Sequence, residues 1–310
     1  MKRNIVIALD VGGSYIKSCI LLNHVPITAS QKEFPSLADQ DQETIIEQLI
    51  HIFKYQADFY HSQFIEQDGH WRIGLAFPGP FDYKQGICYV QGLDKFESLY
   101  GYHVKEALYE RLAQEQGSWA RPLQSAEIRF ENDARLFALG FSTNYPQARF
   151  MALTLGTGLG SAYIDKSTIM DHSQGIPANG WLYNQPYRDG IVDDAFSKRG
   201  ILQLARSLGV MKPDLDVKEL AEDAIAGDRL SQEVFMEFGH RLADMLIPYI
   251  QAYQPDLLVF GGQLSKSFHL FSGALQSFAD QHRIQIHTSE RMLENTFLGI
   301  SHMFRFCHKL

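Results

Sequence analysis

The sequence predicts an α/β protein of two lobes with a cleft between them. Three observations carry this expectation. The chain has 310 residues, more than one core of ordinary size organises and suited to two lobes of about 150 residues each. A strand–glycine turn–strand unit stands near the start of each half, at Asp10–Lys17 and at Leu155–Gly160. Short apolar runs of strand character alternate with segments of helical period, and the second half is mostly helical.

The elements follow in order. Ile5–Leu9 and Ser18–Leu22 are short apolar strands flanking Val11-Gly-Gly-Ser14. Gln42–Phe59 places Ile45, Ile46, Leu49, Ile50, Phe53 and Ala57 on one helical face. Ile73–Phe77 is a strand stopped by Pro78-Gly79-Pro80. His103–Gln114 is helical, Ala126–Phe130 a strand, and Asp133–Phe141 a helix starting just after it. Phe150–Leu155 and Ser161–Ile164 flank Gly156-Thr-Gly-Leu-Gly160 as a second hairpin. Asp165–Asp189 lacks periodicity and reads as a long loop, a kind of segment that usually carries function. Helices are expected over Asp194–Leu208, Val217–Ala226, Leu230–Tyr253, Lys266–Gln281 and Asn295–Phe306, with a strand at Leu257–Phe260 ending in Gly261-Gly262.

Composition bounds the function. Hydrophobic residues make up 45% and charged residues 21%, which excludes disordered, collagen-like and coiled-coil chains. The 28 basic and 36 acidic residues give a net charge of −8, which argues against nucleic acid and against a polybasic membrane surface as partners. The three cysteines, Cys19, Cys88 and Cys307, are widely spaced and odd in number. They build neither a disulfide framework nor a four-thiolate zinc site, and they read as small core residues in a cytoplasmic protein. The apolar run Ile5–Leu9 is too short for a signal peptide, and no stretch nears the roughly 20 apolar residues of a membrane span, so a soluble protein is expected.

Glycine turns let backbone N–H groups approach phosphate oxygens. Neither turn has the Gly-Lys-Ser/Thr of a P-loop. Gly156–Gly160 runs into a strand rather than a helix, against a dinucleotide fingerprint. One such turn alone reads as a tight hairpin; two in matched contexts suit a nucleotide held from both lobes.

Five segments in order carry a resemblance. They are Asp10-Val-Gly-Gly-Ser-Tyr-Ile-Lys17, Leu75-Ala-Phe-Pro-Gly-Pro80, Glu131-Asn-Asp-Ala-Arg-Leu-Phe-Ala-Leu-Gly140, Leu153-Thr-Leu-Gly-Thr-Gly-Leu-Gly160 and Pro255-Asp-Leu-Leu-Val-Phe-Gly-Gly-Gln-Leu264. Together they resemble the ROK sugar kinases, which belong to the actin–hexokinase superfamily with its ribonuclease H-like lobes. The resemblance implies a smaller lobe over residues 1–125, a larger one over 126–294, and a C-terminal helix at about 295–310 packing back on the first. No helix-turn-helix precedes Asp10, so the repressor branch is not expected.

The resemblance also implies roles. Asp133 would be the general base, against a plain helix N-cap. Asn132 would contact sugar, against a turn residue, and Glu131 would support the site. Pro78 and Gly79 would lie near the sugar. Asp10 would organise Mg²⁺ through water, against strand-end capping. Gly12, Gly13 and Ser14 would face the γ-phosphate of ATP, with Gly156, Thr157 and Gly158 closing from the other side. Lys17 would add charge or be a solvated strand lysine. Gly261 and Gly262 would admit adenosine or form a strand–helix turn. The family's Gly-Glu-x-Gly-His sugar motif is replaced by Gly175-Ile-Pro-Ala-Asn-Gly-Trp-Leu-Tyr-Asn184, with Trp181 or Asn179 where the glutamate would stand, and the zinc cysteines are absent. The Asn before the first-lobe sugar loop is missing from Gln91-Gly-Leu-Asp-Lys-Phe96. His172 would replace a lost sugar contact, and Trp181, Tyr183 and Tyr187 would stack on a sugar face, line a subunit contact or anchor the loop. The expected function is an ATP-dependent, Mg²⁺-using, zinc-free kinase of a hexose-like sugar, a homodimer by family implication. The alternative is a catalytically weak sugar or nucleotide sensor.

Overall fold

A computed structural model of the chain describes residues 3–64, 69–172 and 175–305. They divide into two compact units, Met1–Phe141 with Leu293–Leu310, and Ser142–Met292.

The first unit is built on a six-stranded sheet. Strands β1 (Arg3–Val11) and β2 (Tyr15–Leu22) form the expected hairpin, and β3 (Val25–Pro26) and β4 (Lys32–Pro35) both pair with β2. Helix α1 (Gln42–Gln63) starts where the Asp41 carboxylate accepts the Thr44 N–H, the side-chain cap that a helix start favours. It leads to β5 (Gly69–Ala76), which lies parallel to β1. A small ribbon of β6 (Phe81–Asp82) and β7 (Ile87–Cys88) and helix α2 (Val104–Gln114) follow. Then β8 (Glu127–Glu131) adds parallel to β5, and α3 (Asp133–Phe141) ends this part.

Side chains alternate across β1. Ile5, Ile7 and Leu9 enter a core with Ile45, Leu49 and Phe53 of α1, whereas Val6 and Ala8 point the other way. A strand covered on both faces reads as an unbroken apolar run, which is why Ile5–Leu9 shows no alternation in sequence.

The second unit repeats the plan. Strands β9 (Arg149–Leu155) and β10 (Leu159–Asp165) form a hairpin, and β11 (Thr168–Ile169) extends it. The long loop contains a tight turn at Ala178–Gly180 and a short ribbon of β12 (Pro186–Tyr187) and β13 (Gly190–Ile191). The expected single helix over Asp194–Leu208 is two, α4 (Val192–Phe196) and α5 (Lys198–Ser207). Ser197 breaks it with an extended backbone, and its hydroxyl accepts the Gly200 N–H. Helices α6 (Val217–Ile225) and α7 (Arg229–Tyr253) follow. Strand β14 (Leu257–Gly261) inserts parallel to β9, α8 (Phe268–His282) crosses over, and β15 (Gln285–Thr288) closes the sheet parallel to β14.

Helix α9 (Met292–His302) returns to the first unit. Phe297 and Ile300 pack with Val6, Ala8, Leu136 and Phe304 on the second face of the first sheet. Two glycines let α9 approach α3 closely: a Cβ at Gly140 would lie 1.8 Å from the Asn295 carbonyl oxygen, and one at Gly299 would lie 1.9 Å from that of Leu136.

The division into units differs from the boundaries expected at 125/126 and 294/295. Residues 126–141 fall in the first unit because β8 hydrogen-bonds to β5 and α3 packs under α9. Pairing of β8 reflects its partner strand, which no local pattern encodes. Cys19 and Cys88 are buried, and Cys307 and Phe306 lie outside the described residues. Among the described residues, no helix is long and apolar enough to cross a membrane.

Candidate functional site

In the first unit three parallel strands end side by side. Asp10 on β1 pairs with Ala76 on β5, and Ala76 pairs with Glu131 on β8. The three segments leaving these ends are therefore the Gly12–Ser14 turn, Pro78-Gly79 and Asn132-Asp133. Carboxyl ends of parallel strands are where open α/β sheets bind ligands.

The Gly12–Ser14 turn is closed by the Gly12 N–H donating to Tyr15 O at 2.9 Å. Ser36 clips it from outside: its hydroxyl donates to Gly13 O, and its N–H donates to Ser14 O at 3.0 Å. Ser14 is exposed. Lys17 stands opposite Asp10 on β2. Burial, then the negative charge of Asp133, push the Asp10 carboxyl up to about 6, and Lys17 only partly offsets them.

Asn132 and Asp133 divide two tasks. The Asn132 Oδ1 accepts the N–H groups of Ala134 at 3.0 Å and Arg135 at 3.3 Å, so Asn132 caps α3. Asp133 Oδ1 also accepts the Ala134 N–H, at 2.8 Å, beside the cap. The Asn132 amide reaches the Tyr83 hydroxyl at 3.5 Å, and Glu131 Oε1 accepts the Asn132 N–H at 2.8 Å. Arg135 holds Glu131 at 3.4 Å. Asp133 keeps an accessible surface yet is densely surrounded by protein. That desolvation raises its carboxyl above the usual range, against the Ala134 N–H and the nearby Lys95 charge, which lower it.

Two residues that sequence reasoning missed complete this side. Tyr83 donates to Phe77 O at 3.1 Å, and its hydroxyl lies 3.1 Å from where a Gly79 Cβ would be. It thereby ties the Pro78-Gly79 turn to Asn132. Burial pushes its hydroxyl well above its usual range, so it stays a neutral donor. Lys95 lies against Gly13. The Tyr83–Asn132 and Lys95–Gly13 contacts have no signal in the local pattern, since each joins segments far apart in sequence.

The second unit holds the other glycine turns. The Gly156 N–H donates to Gly158 O at 3.0 Å, Thr157 is exposed, and a Cβ on Gly156 would meet nothing within 4 Å. The start of α5 clamps this turn through the Lys198 N–H on Gly156 O at 2.7 Å. Asp193, a further residue missed in the sequence, accepts the Leu159 N–H at 2.7 Å. Gly261 pairs with Thr154 on β9. Gly262 has φ +90°, and a Cβ there would lie 2.3 Å from Leu155 O, so only glycine lets this segment lie against the turn.

Asn179 and Trp181 lie on the long loop. Asn179 is exposed with φ 57°. Trp181 is half-buried with its ring 5.9 Å from that of Tyr183. Ser161 on β10 anchors the loop, its hydroxyl donating to Gly180 O at 2.7 Å and accepting the Leu182 N–H at 2.9 Å. His172 is exposed beside Asp171. Tyr187 packs on Phe196 with ring centroids 5.0 Å apart. Among the described residues no group of three or more His, Cys, Asp or Glu is arranged to hold a metal ion.

Two α/β units, each opening on a glycine-turn hairpin continued by parallel strands, define the actin–hexokinase fold. A solved glucokinase from Parabacteroides distasonis shares it, with a TM-score of 0.74 at 20% identity over 99% of each chain. The chain matches the ROK family over residues 6–293 and belongs to that family. Among its relatives, the glucokinase of Thermotoga maritima is 25% identical over 228 residues, 66% of this chain and 67% of the relative. The N-acetyl-D-glucosamine kinase of Mannheimia succiniciproducens is 25% identical over 221 residues, 64% of this chain and 67% of the relative.

Proposed function

We propose that this chain is a sugar kinase that transfers the γ-phosphoryl group of ATP to a hydroxyl of a hexose or hexose-like sugar. The observation that carries this reading is the row Asp10–Ala76–Glu131, which puts the first glycine turn, Pro78-Gly79 and Asn132-Asp133 at one edge of one sheet. Family membership and relatives that phosphorylate glucose and N-acetyl-D-glucosamine support it.

In this mechanism the Asp133 carboxylate takes the proton of the sugar hydroxyl as its oxygen bonds to the γ-phosphorus. The bond from that phosphorus to the β,γ-bridging oxygen breaks, and ADP leaves with the electron pair. A carboxylate whose pKa is held above its usual range is a stronger base than one in water. Asn132 spends its oxygen on the cap, so its amide N–H is the group it can offer a sugar. Glu131 and Arg135 hold the strand end from which both project. Gly12 and Gly13 in the first unit, and Gly156 and Gly158 in the second, carry no side chain of their own, which suits each turn to a phosphate.

The donor chemistry fits Mg²⁺. Asp10 is a hard oxygen donor near a second carboxylate, Asp133, and each raises the cost of the other's charge. A divalent cation beside Asp10 would offset that repulsion and neutralise phosphate charge. Asn179, Trp181 and the missing carboxylate of the sugar motif make the sugar side the part most altered, so a glycoside or disaccharide is a second class of acceptor to test.

A coupled ADP-release assay over hexoses, amino sugars and disaccharides tests the reading. Turnover with any sugar supports the kinase. Binding of sugar or nucleotide without turnover by any of them favours the sensor alternative, for which the altered sugar loop speaks.

A further inference from the structure

Lys95 is not among the residues that the motifs bring to the site. It lies in the segment Gln91–Phe96, which lacks the asparagine expected before the first-lobe sugar loop. Its aliphatic stem runs over the first glycine turn: a Cβ on Gly13 would lie 2.9 Å from Lys95 Cδ and 3.7 Å from its Cβ. Its charge is felt at Asp133. One half-buried cation thus lies against the phosphate turn and acts on the base.

The placement is held from several directions. The Phe96 N–H donates to Ala38 O at 2.6 Å, and the Phe96 ring is buried 5.1 Å from that of Phe77, the residue before Pro78. Glu97 Oε1 accepts the N–H groups of Leu93 at 3.1 Å and Asp94 at 3.2 Å. Asp94 and Phe96 both adopt left-handed backbone, with φ of 53° and 55°. Non-glycine residues keep such conformations when their surroundings over-determine them, and they cluster at functional sites. A lysine that merely decorated the surface would need none of this.

We propose that the Lys95 ammonium clamps the phosphoryl group in flight. This rests on the kinase reading. During transfer the phosphoryl group passes from the phosphate turn to the hydroxyl that Asp133 deprotonates, and its charge spreads over three equatorial oxygens. Lys95 serves both ends of that transfer, its stem against the turn and its charge acting on Asp133. A fixed cation aimed at charge that develops in the transition state lowers the barrier without reorganisation. Glycine at position 13 has a second use here, since any side chain there would collide with the lysine stem.

The experiment compares wild type, Lys95→Met and Lys95→Arg. Thermal unfolding first establishes that each variant folds. Affinities for AMPPNP and ADP, both with Mg²⁺, are then measured by calorimetry, and kcat with any sugar that wild type accepts. Lys95→Met is expected to lower kcat about 10²–10³-fold and to weaken AMPPNP more than ADP. Lys95→Arg is expected to recover part of both. Unchanged kcat together with an unchanged AMPPNP-to-ADP affinity ratio in Lys95→Met overturns the proposal and leaves the kinase reading intact. So does an equal loss for both nucleotides, which marks general damage. Wild-type protein that binds neither nucleotide and turns over no sugar removes the kinase reading, and the role of Lys95 with it.

Discussion

Gly299→Ala tests how the last helix supports the site. The added methyl would stand 1.9 Å from the Leu136 carbonyl oxygen, 2.7 Å from its carbon and 3.0 Å from its Cα. The obstacle is helix backbone, which no rotamer change removes. Contacts of Cβ under 3.0 Å are essentially never seen, so α9 and α3 must separate by at least about 1 Å at this point. Overpacking of this kind costs about 1–3 kcal/mol. For a unit of this size that lowers Tm by roughly 2–4 °C per kcal/mol. The shift also reaches chemistry: Leu136 lies one turn from Asp133 on α3, and misplacing a catalytic group by 1 Å can cost about 10²-fold in rate. Gly140→Ala meets the Asn295 carbonyl across the same interface and is expected to act alike. The double variant is the decisive one. Once one methyl has moved the helices apart, the second has less to displace, so the combined loss of stability is expected to fall short of the sum. Urea unfolding of the four proteins measures this. A Gly299→Ala protein with wild-type Tm, or a pair whose losses simply add, refutes the close-packed helix pair as described.

Asp133→Asn is expected to lower kcat about 10²–10⁴-fold with nucleotide affinity nearly unchanged; near-normal turnover removes Asp133 from the mechanism. The base must be ionised and its carboxyl is raised, so kcat/KM is expected to fall with decreasing pH at an inflection above the ordinary carboxylate value of about 4; an inflection at or below that value contradicts the assignment. A carboxyl raised in the folded state stabilises the fold only while protonated, and the contribution is lost as pH rises. Asp133→Asn should therefore unfold at a higher temperature than wild type at neutral pH, with the gap closing in acid; a gap that widens in acid reverses the sign. Mg²⁺ at ten times its Kd is expected to add about 1.4 kcal/mol of stability, and Asp10→Ala to remove most of that gain; an equal gain in both proteins places the ion elsewhere. Ser161→Ala leaves Gly180 O and the Leu182 N–H without their shared buried hydroxyl and is expected to cost about 1–3 kcal/mol, raising the sugar KM more than the nucleotide KM; a larger effect on nucleotide would detach this loop from the sugar side.

The strands and helices were legible wherever one physical signal dominated. Ile5–Leu9 is an apolar run because both its faces are covered, and Gln42–Gln63 shows its buried stripe at helical spacing. The break at Ser197 was not legible, because a serine inside a helical pattern signals a cap only when the chain is seen to turn there. Strand β15 escaped for a related reason: Gln285–Thr288 is short and largely exposed, and its pairing with β14 rather than its composition makes it a strand.

By itself the sequence determined the order of the main strands and helices, the two glycine-turn hairpins and the family motifs that they carry, since these depend on residues close together in the chain. Tertiary structure decided the rest. It moved β8 and α3 into the first unit, joined Tyr83 to Asn132, and laid Lys95 across Gly13. Each of these is a contact between segments far apart in sequence. Its free energy comes from groups that meet only when the sheet aligns the ends of β1, β5 and β8, and no local propensity registers it.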